Sequence, residues 1–373
     1  MKLALIRQRY ADDGGAERFV ARALDSLAQQ GVGVTLIARR WAGAAGYETL
    51  TCNPFYLGRL WRDWSFARAV ERLLQTHRFD LVQSHERLLT CDIYRAGDGV
   101  HREWLIQRAR GLGPLARAAQ ALNPYHRYLL RTERALFTGA RLKAVICNSQ
   151  MVKQEIQRHF GTPAHKLHVI YNGVDTASFH PGLARHRAEI RARHGIPAEA
   201  VLFLFVGSGF ERKGVAALLQ AMARLPAAYA LIVGRDRRRE TYLREARSLG
   251  VEQRVVFAGS QPEVKPYYGA ADVCVLPTLY DPFPNVVVEA LASGLPVVTS
   301  TKSGGAELIQ AGQNGFVCDA LDIVGLADSM RRLMDPELRR SASIAARAAV
   351  SGLDLASMAA RLQALYQQLM RAA

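Results

Sequence analysis

A chain of 373 residues, 49% of them hydrophobic, is long enough to bury two cores of ordinary domain size, which excludes a disordered or fibrous polypeptide. Its formal charge of +16, with a pI near 10.0, favours partners that carry negative charge: nucleic acid, anionic lipid or phosphorylated substrates. Five scattered cysteines form no close pair, so neither a disulfide framework nor a zinc site is indicated, and no apolar run is long enough to cross a bilayer.

The opening residues, "MKLALIRQRY", read as a first buried strand and not as a cleavable signal, so the chain is expected to stay in the cytoplasm. A glycine-containing loop, "DDGGAE", and a helix over "RFVARALDSLAQQ" lead to a strand, "GVTLIA", completing a β-α-β unit. Further strands are expected at "DLVQSH" and "AVICNS", with Asn172-Gly173 a turn at a domain boundary. The pattern then restarts with strand "VLFLFVG", helix "VAALLQAMARL", strand "YALIVG", helix "RETYLREARSLG", strand "VVFAG", a short helix through Tyr268 and strand "VCVLP". Short apolar strands alternating with amphipathic helices imply parallel sheets covered on both faces. The fold class is therefore α/β, with two doubly wound, Rossmann-like domains over residues 1–171 and 172–352. A helix over 353–373 has the spacing to pack back on the first domain.

In open α/β sheets ligands bind beyond the carboxyl ends of the strands, so the loops there are the places to look for chemistry. After the first strand, Gly14 and Gly15 at a helix start allow backbone amides to approach a phosphate or a sugar, although a plain tight turn has the same residues. In "GSGFERKG", Gly207 to Gly214, Gly209 and Gly214 have the spacing of a Walker loop, but Val215-Ala216 follow where it requires Lys-Ser/Thr, and the nucleoside-triphosphatase reading fails. What remains is Arg212-Lys213 in a glycine-rich loop, two cations placed to meet a diphosphate or simply solvated. Gly234 and Arg235, following another strand, join that candidate set. In "YDPFPNVVVEALASGLPVVTS" two acids, Asp281 and Glu289, flank a helix start near Asn285, where capping is the plain explanation and anion binding the functional one. Asp98, between two glycines, is either a turn residue or a sugar ligand, and His85 and His101 are either structural or bases.

Residues 101–134 carry seven arginines against two glutamates, with aromatic residues interleaved, a composition suited to anionic headgroups or to a solvated helical face. The candidates for membrane contact are Arg102, Trp104, Arg108, Arg110, Arg117, Arg127 and Arg131. No zinc-finger, RNA-recognition or basic-zipper pattern accompanies the charge, which argues against a nucleic-acid partner.

With these motifs in place, the chain resembles glycosyltransferase family 4, retaining enzymes of the GT-B fold that move a sugar from a nucleotide donor. The resemblance rests on "GGAER", "VIYNGVD", "GSGFERKG", "GAADVCVLPT" and "EALASGLPVV", and runs over nearly the whole length. Within the family it is nearest to the lipopolysaccharide-core glucosyltransferase subfamily, through "DLVQSHERLLTCDIYRAGD". It implies that Arg212 and Lys213 bind the donor diphosphate, that Glu289 binds the ribose, and that Gly15 approaches the phosphate or the acceptor. Asp281 and the amides over Phe283 to Val286, Asn285 among them, would hold the transferred sugar, with Gly14, Gly207, Gly234, Arg235, Pro284 and Val287 also lining the donor site. Two positions depart from the common family pattern. Asp281 stands where a glutamate is usual, and Asp98 where many relatives carry a histidine.

The implied function is retaining transfer of a hexose, from a UDP-linked donor, to a lipopolysaccharide-core or related glycolipid acceptor at the inner face of the plasma membrane, with the protein bound peripherally. Asp98, Arg212, Lys213 and Asp281 would be the catalytic group, without a metal or a resident cofactor, the departing diphosphate charge being met by cations and a helix terminus. A polysaccharide precursor or a phospholipid is the alternative acceptor. An epimerase or phosphorylase on the same architecture and a non-catalytic anion-binding protein are the rivals of other classes.

Overall fold

The computed structural model describes residues 2–10, 33–41 and 48–371, without the side chains of Tyr10 and Trp41. The helix expected over "RFVARALDSLAQQ", together with Gly14 and Gly15, lies outside these residues. The chain forms two compact units, the first comprising Met1–Asn172 and Leu355–Ala373, the second Gly173–Asp354.

The strands of the first unit are β1 (Lys2–Ile6), β2 (Arg9–Tyr10), β3 (Gly33–Ala38), β4 (Arg40–Trp41), β5 (Glu48–Thr51), β6 (Leu81–Ser84), β7 (Ile93–Arg95), β8 (Ala144–Cys147) and β9 (Leu167–Val169). Seven of them form one sheet in the order β5-β3-β1-β6-β7-β8-β9, and β2 pairs separately with β4. Every pairing is parallel. Side chains alternate across a strand, so each strand feeds both faces. Ala4, Ile6, Val82 and Val145 enter one core, whereas Leu3, Leu5, Leu81 and Ile146 enter the other. The first core also takes Phe66 and Val70 of α1 (Gly58–Thr76) and Leu136 and Phe137 from residues 124–138. The second is covered by the last helix, Leu355–Arg371, through Met358, Leu362, Leu365 and Tyr366. The hydroxyl of Tyr366 donates to Gln83 Oε1 at 2.6 Å, which satisfies a polar pair buried in that core.

Residues 101–138 form three helices, α2 (His101–Arg110), α3 (Pro114–Leu122) and α4 (Pro124–Thr138). Pro114 and Pro124 each stand at the first helical position, where proline's fixed φ is tolerated and a continuous helix is interrupted. Helix α5 (Gln150–Phe160) follows β8, its N-terminus capped by the hydroxyl of Ser149.

In the second unit the strands are β10 (Val201–Val206), β11 (Ala228–Val233), β12 (Val255–Gly259), β13 (Val273–Leu276), β14 (Val297–Ser300) and β15 (Gly315–Cys318). Their order is β12-β11-β10-β13-β14-β15, again all parallel. The helices are α6 (Arg187–Arg193), α7 (Phe210–Lys213), α8 (Val215–Met222), α9 (Arg239–Ser248), α10 (Lys265–Ala270), α11 (Asn285–Ala292), α12 (Ile323–Arg332) and α13 (Pro336–Ala349). Strand order reverses between β10 and β13, and at such a switch the loops beyond the two strand ends diverge and leave room for a ligand. Those loops carry "GSGFERKG" and "YDPFPN".

Candidate active site

The glycines of the β10 loop set its course. Gly214 has φ +82°, and a Cβ there would stand 1.9 Å from the carbonyl oxygen of Pro277, just beyond β13. Only glycine allows that approach. It brings Arg212 and Lys213 against the segment that follows β13: the amide of Leu279 and the hydroxyl of Thr278 both donate to the carbonyl of Arg212, each at 2.8 Å. The segment 210–213, expected as loop, is instead a single helical turn, because Phe210 buries its ring against Phe205 and Tyr242. Its first amide, on Phe210, donates to Asp236 Oδ2 at 2.7 Å.

Asp281 is the hub of the arrangement. Its Oδ2 lies 2.7 Å from Lys213 Nζ and accepts from Arg212 Nη1 at 3.0 Å. Arg212 Nη1 also donates to the carbonyl of Tyr280. The Asp281 backbone is fixed as well, its amide donating to Lys302 and its carbonyl accepting from Gly304. Burial by itself would raise the Asp281 carboxyl, but the charges of Lys213 and Arg212 outweigh it and hold the group below the ordinary aspartate range. Lys213 is only 8% exposed and Asp281 6%. A nearly dry ammonium and a half-exposed guanidinium are thus held side by side by one carboxylate.

Eight residues along, Glu289 accepts from the hydroxyl of Tyr268 at 2.7 Å, one turn inside α11. Burial and then the Glu289 charge push the Tyr268 hydroxyl well above its usual range, so it stays a donor at any ordinary pH. Of the residues between the two acids, Phe283 is 4% exposed and Val287 fully buried, with Val287 packed against Gly305. These two side chains are packed inward, so what they offer a ligand is their backbone. Pro284 immediately precedes α11, and Asn285 and Val286 begin it, both half-buried. Gly207 and Gly234 lie together: a Cβ on Gly234 would stand 2.0 Å from the Gly207 carbonyl oxygen. Arg235 is exposed, and its amide donates to Ser208 Oγ at 3.3 Å. Arg212, Lys213, Asp281, Glu289, Gly207, Gly234, Arg235 and the 283–287 backbone therefore all belong to the carboxyl end of one sheet. Sequence reasoning did not single out Tyr268, Asp236, Ser208 or Thr278. Each is a common residue in a plain context, and its partner lies 21 or more residues away.

Asp98 is in the first unit, at the wall of a polar cavity of about 120 Å³ shared with Gln8, Arg62, Asp63, Glu86, Arg87 and Tyr125. The Tyr125 hydroxyl and Gln8 Nε2 each donate to Asp63 at 3.0 Å, so the cavity wall is tied together by its own side chains. Burial raises the Glu86 carboxyl above its usual range, offset in part by the amide of Gln8. The two histidines considered as bases are poorly suited. Burial lowers His85 well below its ordinary value, and burial with the charge of Arg87 lowers His101 to about 3. His101 Nε2 lies 3.1 Å from His126 Nδ1.

The arginines of α2 to α4 point outward. Arg102, Arg110, Arg117, Arg127 and Arg131 are exposed, while Arg108 and Trp104 are half-buried. The two acids of that segment turn inward: Glu133 is completely buried against Arg87 and the amides of His101 and Arg102, and Glu103 is bonded to His159. No helix among the described residues is long and apolar enough to cross a membrane.

Two parallel, doubly wound sheets with flanking helices define the GT-B fold of glycosyltransferases. The family models agree: Glycosyltransferase Family 4 matches residues 13–178 and Glycosyl transferases group 1 matches residues 186–349, and the chain belongs to this family. Lipopolysaccharide core biosynthesis glycosyltransferase LpsE of Rhizobium meliloti (strain 1021) is 29% identical over 337 residues, 88% of each chain. Lipopolysaccharide glucosyltransferase WaaG of Escherichia coli (strain K12) is 26% identical over 325 residues, 85% of each. A solved structure of WaaG superposes with a TM-score of 0.83 at 25% identity, covering 96% of this chain and 98% of that one. Anabaena HepE, solved in complex with UDP-glucose, shares the fold with a TM-score of 0.76 at 20% identity, covering 99% of this chain and all of that one.

Proposed function

We propose that this glycosyltransferase transfers a hexose from a UDP-linked donor to a lipopolysaccharide-core or related glycolipid acceptor, with retention at the anomeric carbon and without a metal. The carrying observation is the Arg212-Lys213-Asp281 cluster at the carboxyl end of β10 and β13. Adjacent cations, one of them nearly dry, suit a diphosphate better than a single phosphate. In the reaction the bond between the anomeric carbon and the diphosphate oxygen breaks, and its electron pair leaves with the diphosphate. Arg212, Lys213 and the positive end of α11 meet that charge. The acceptor hydroxyl adds to the same face of the sugar, and its proton passes to the departing phosphate oxygen. Two cations at the leaving group do the work for which other transferases use a divalent ion. Glu289, aimed by Tyr268, holds the ribose hydroxyls, and Asp281 with the 283–286 backbone holds the hexose.

Asp98 and the cavity of the first unit hold acceptor hydroxyls, for which carboxylates, guanidinium groups and tyrosines together supply acceptors and donors. Peripheral attachment to the inner face of the plasma membrane is supported by α2 to α4, where exposed arginines face outward and both acids are turned in. The relatives LpsE and WaaG, whose names place them in lipopolysaccharide synthesis, support the acceptor class. UDP-bound HepE supports the nucleotide.

A panel of nucleotide sugars, scored for thermal stabilisation and slow hydrolysis, tests this reading. A donor present at 100 times its dissociation constant adds about 2.7 kcal/mol. UDP-hexoses should stabilise the protein and release UDP in the presence of EDTA. An anion-binding protein without activity would bind vesicles and leave every donor intact.

A further inference from the structure

Helix α1 carries two apolar faces, and only one of them is used by the fold. Phe66 and Val70 are fully buried in the core of the first unit. Leu60, Trp61 and Trp64, at spacings of 0, 1 and 4, form a second stripe, and Leu57 stands at the N-cap just before it. At about 100° per residue that stripe lies on the opposite side of the helix from Phe66 and Val70. Leu57 is 75% exposed, Leu60 38%, Trp61 41% and Trp64 47%. Phe55, also 75% exposed, meets Trp61 edge to face with ring centroids 5.6 Å apart, so the stripe is continued into the preceding loop as one aromatic cluster. Scattered exposed leucines need no explanation, but five large apolar side chains within ten residues do.

The surroundings say what chemistry would cover them. On the core side of α1, Tyr125 at the start of α4 donates to Asp63, which leaves the stripe facing out. Leu115 and Leu122 of α3, 87% and 70% exposed, lie in the segment that leads into that same end of α4. Arg59, Arg68 and Arg72 of α1 are exposed, Arg68 paired with Glu71 at 3.2 Å, whereas Asp63 is half-buried. Helix α1 packs against α4, with the Tyr125 hydroxyl on Asp63, so the arginine-rich helices and the first turns of α1 share one locality. Aromatic and aliphatic side chains ringed by arginine fit the boundary between headgroups and acyl chains, where a tryptophan can bury its ring and keep its N–H wet. A protein partner chosen for the same patch would need acids to match the arginines.

We propose that the Phe55–Trp64 stripe of α1 inserts into the interfacial layer of an anionic phospholipid bilayer. This anchor acts by apolar burial, distinct from the electrostatic attraction of the arginines in α2 to α4. It shares its partner with the membrane reading above, but the force differs, and so does the test. Coulombic attraction is screened by salt, whereas apolar insertion is not.

The experiment uses the full chain with vesicles of phosphatidylcholine and phosphatidylglycerol, the phosphatidylcholine brominated on its acyl chains, at low salt and at 1 M NaCl. The expected result is quenching of tryptophan fluorescence by the bromines and binding that persists in part at 1 M salt. In the variant Leu57→Ser/Trp61→Ser, salt-resistant binding should fall at least tenfold, while thermal stability and UDP-hexose hydrolysis are unchanged. Vesicle binding that vanishes at 1 M salt without quenching overturns the insertion and leaves the arginine reading standing. Absence of all vesicle binding overturns both membrane proposals without touching donor chemistry. Concentration-dependent dimerisation abolished by the same variant overturns the proposal in favour of a second copy of this chain.

Discussion

Lys213→Met tests whether the ion-paired lysine is catalytic or only holds the fold. The substitution keeps an unbranched apolar stem and deletes the ammonium. In the folded protein Lys213 Nζ lies 2.7 Å from Asp281, both side chains being about a tenth exposed. Removing one member of a buried pair typically costs about 3 to 5 kcal/mol, because the survivor is left as an uncompensated charge. Here Arg212, 3.0 Å from the same oxygen, still compensates, so the low end of about 3 kcal/mol is expected. For a unit spanning residues 173–354 that lowers Tm by roughly 6 to 12 °C and leaves the protein folded at room temperature. Loss of a donor to the departing charge should cost roughly 100- to 1,000-fold in kcat, about 3 to 4 kcal/mol. The double variant Lys213→Met/Asp281→Asn removes the stranded carboxylate as well. It should recover much of the Tm and none of the activity, since stability depends on the pair and turnover on the ammonium. Steady-state release of UDP and differential scanning calorimetry on the three proteins give both numbers. Lys213→Met retaining kcat within about tenfold of wild type would refute the assignment.

The remaining predictions concern neighbouring parts of the site. Tyr268→Phe removes a hydrogen bond to a charged group and should weaken donor binding about tenfold or more with little change in kcat, read as KM for the donor. Asp98→Asn should abolish transfer to an acceptor while slow donor hydrolysis persists; equal loss of both would place Asp98 with the donor. Gly214→Ala forces a Cβ to within 1.9 Å of a backbone carbonyl, and soluble expression should collapse, whereas Gly113→Ala, at φ −70° with nothing within 4 Å, should express. Because the folded Asp281 carboxyl is depressed below its unfolded value, it contributes stability above the unfolded aspartate pKa, near 3.9, that is lost as pH falls through the folded value. Wild type should therefore lose its stability advantage over Asp281→Asn only below about pH 4, measured by urea unfolding across pH.

What the sequence shows of this molecule, and what it hides, follows from how far apart the interacting residues are. Runs such as "KLALI" and "VLFLFVG" reveal their strands because the first feeds alternate residues to two covered faces and the second is buried along nearly its whole length, properties carried within a few residues. Residues 210–213 were expected as loop and form a helical turn, since the decisive contact, Phe210 against Tyr242, spans 32 positions. The two candidate acids could be chosen from the sequence, but not their tasks. Asp281 is engaged by residues 68 and 69 positions earlier, and Glu289 by Tyr268, on a different helix. The apolar stripe of α1 misleads in the opposite direction: its helical spacing is that of a core face, and only burial shows that Phe66 and Val70 fill the core in its place. The arginines of residues 101–134 could be counted from the sequence, while the inward turn of Glu103 and Glu133 could not.

The most direct measurement is proton NMR of UDP-glucose incubated with the protein and a truncated lipopolysaccharide acceptor in EDTA, following the anomeric signal as donor is consumed. Retaining, metal-independent transfer predicts loss of the donor signal, equimolar UDP, and a product whose new glucosidic linkage keeps the α configuration of the donor, all absent with Lys213→Met. A β-linked product, a requirement for added metal, or an intact donor after prolonged incubation would contradict it.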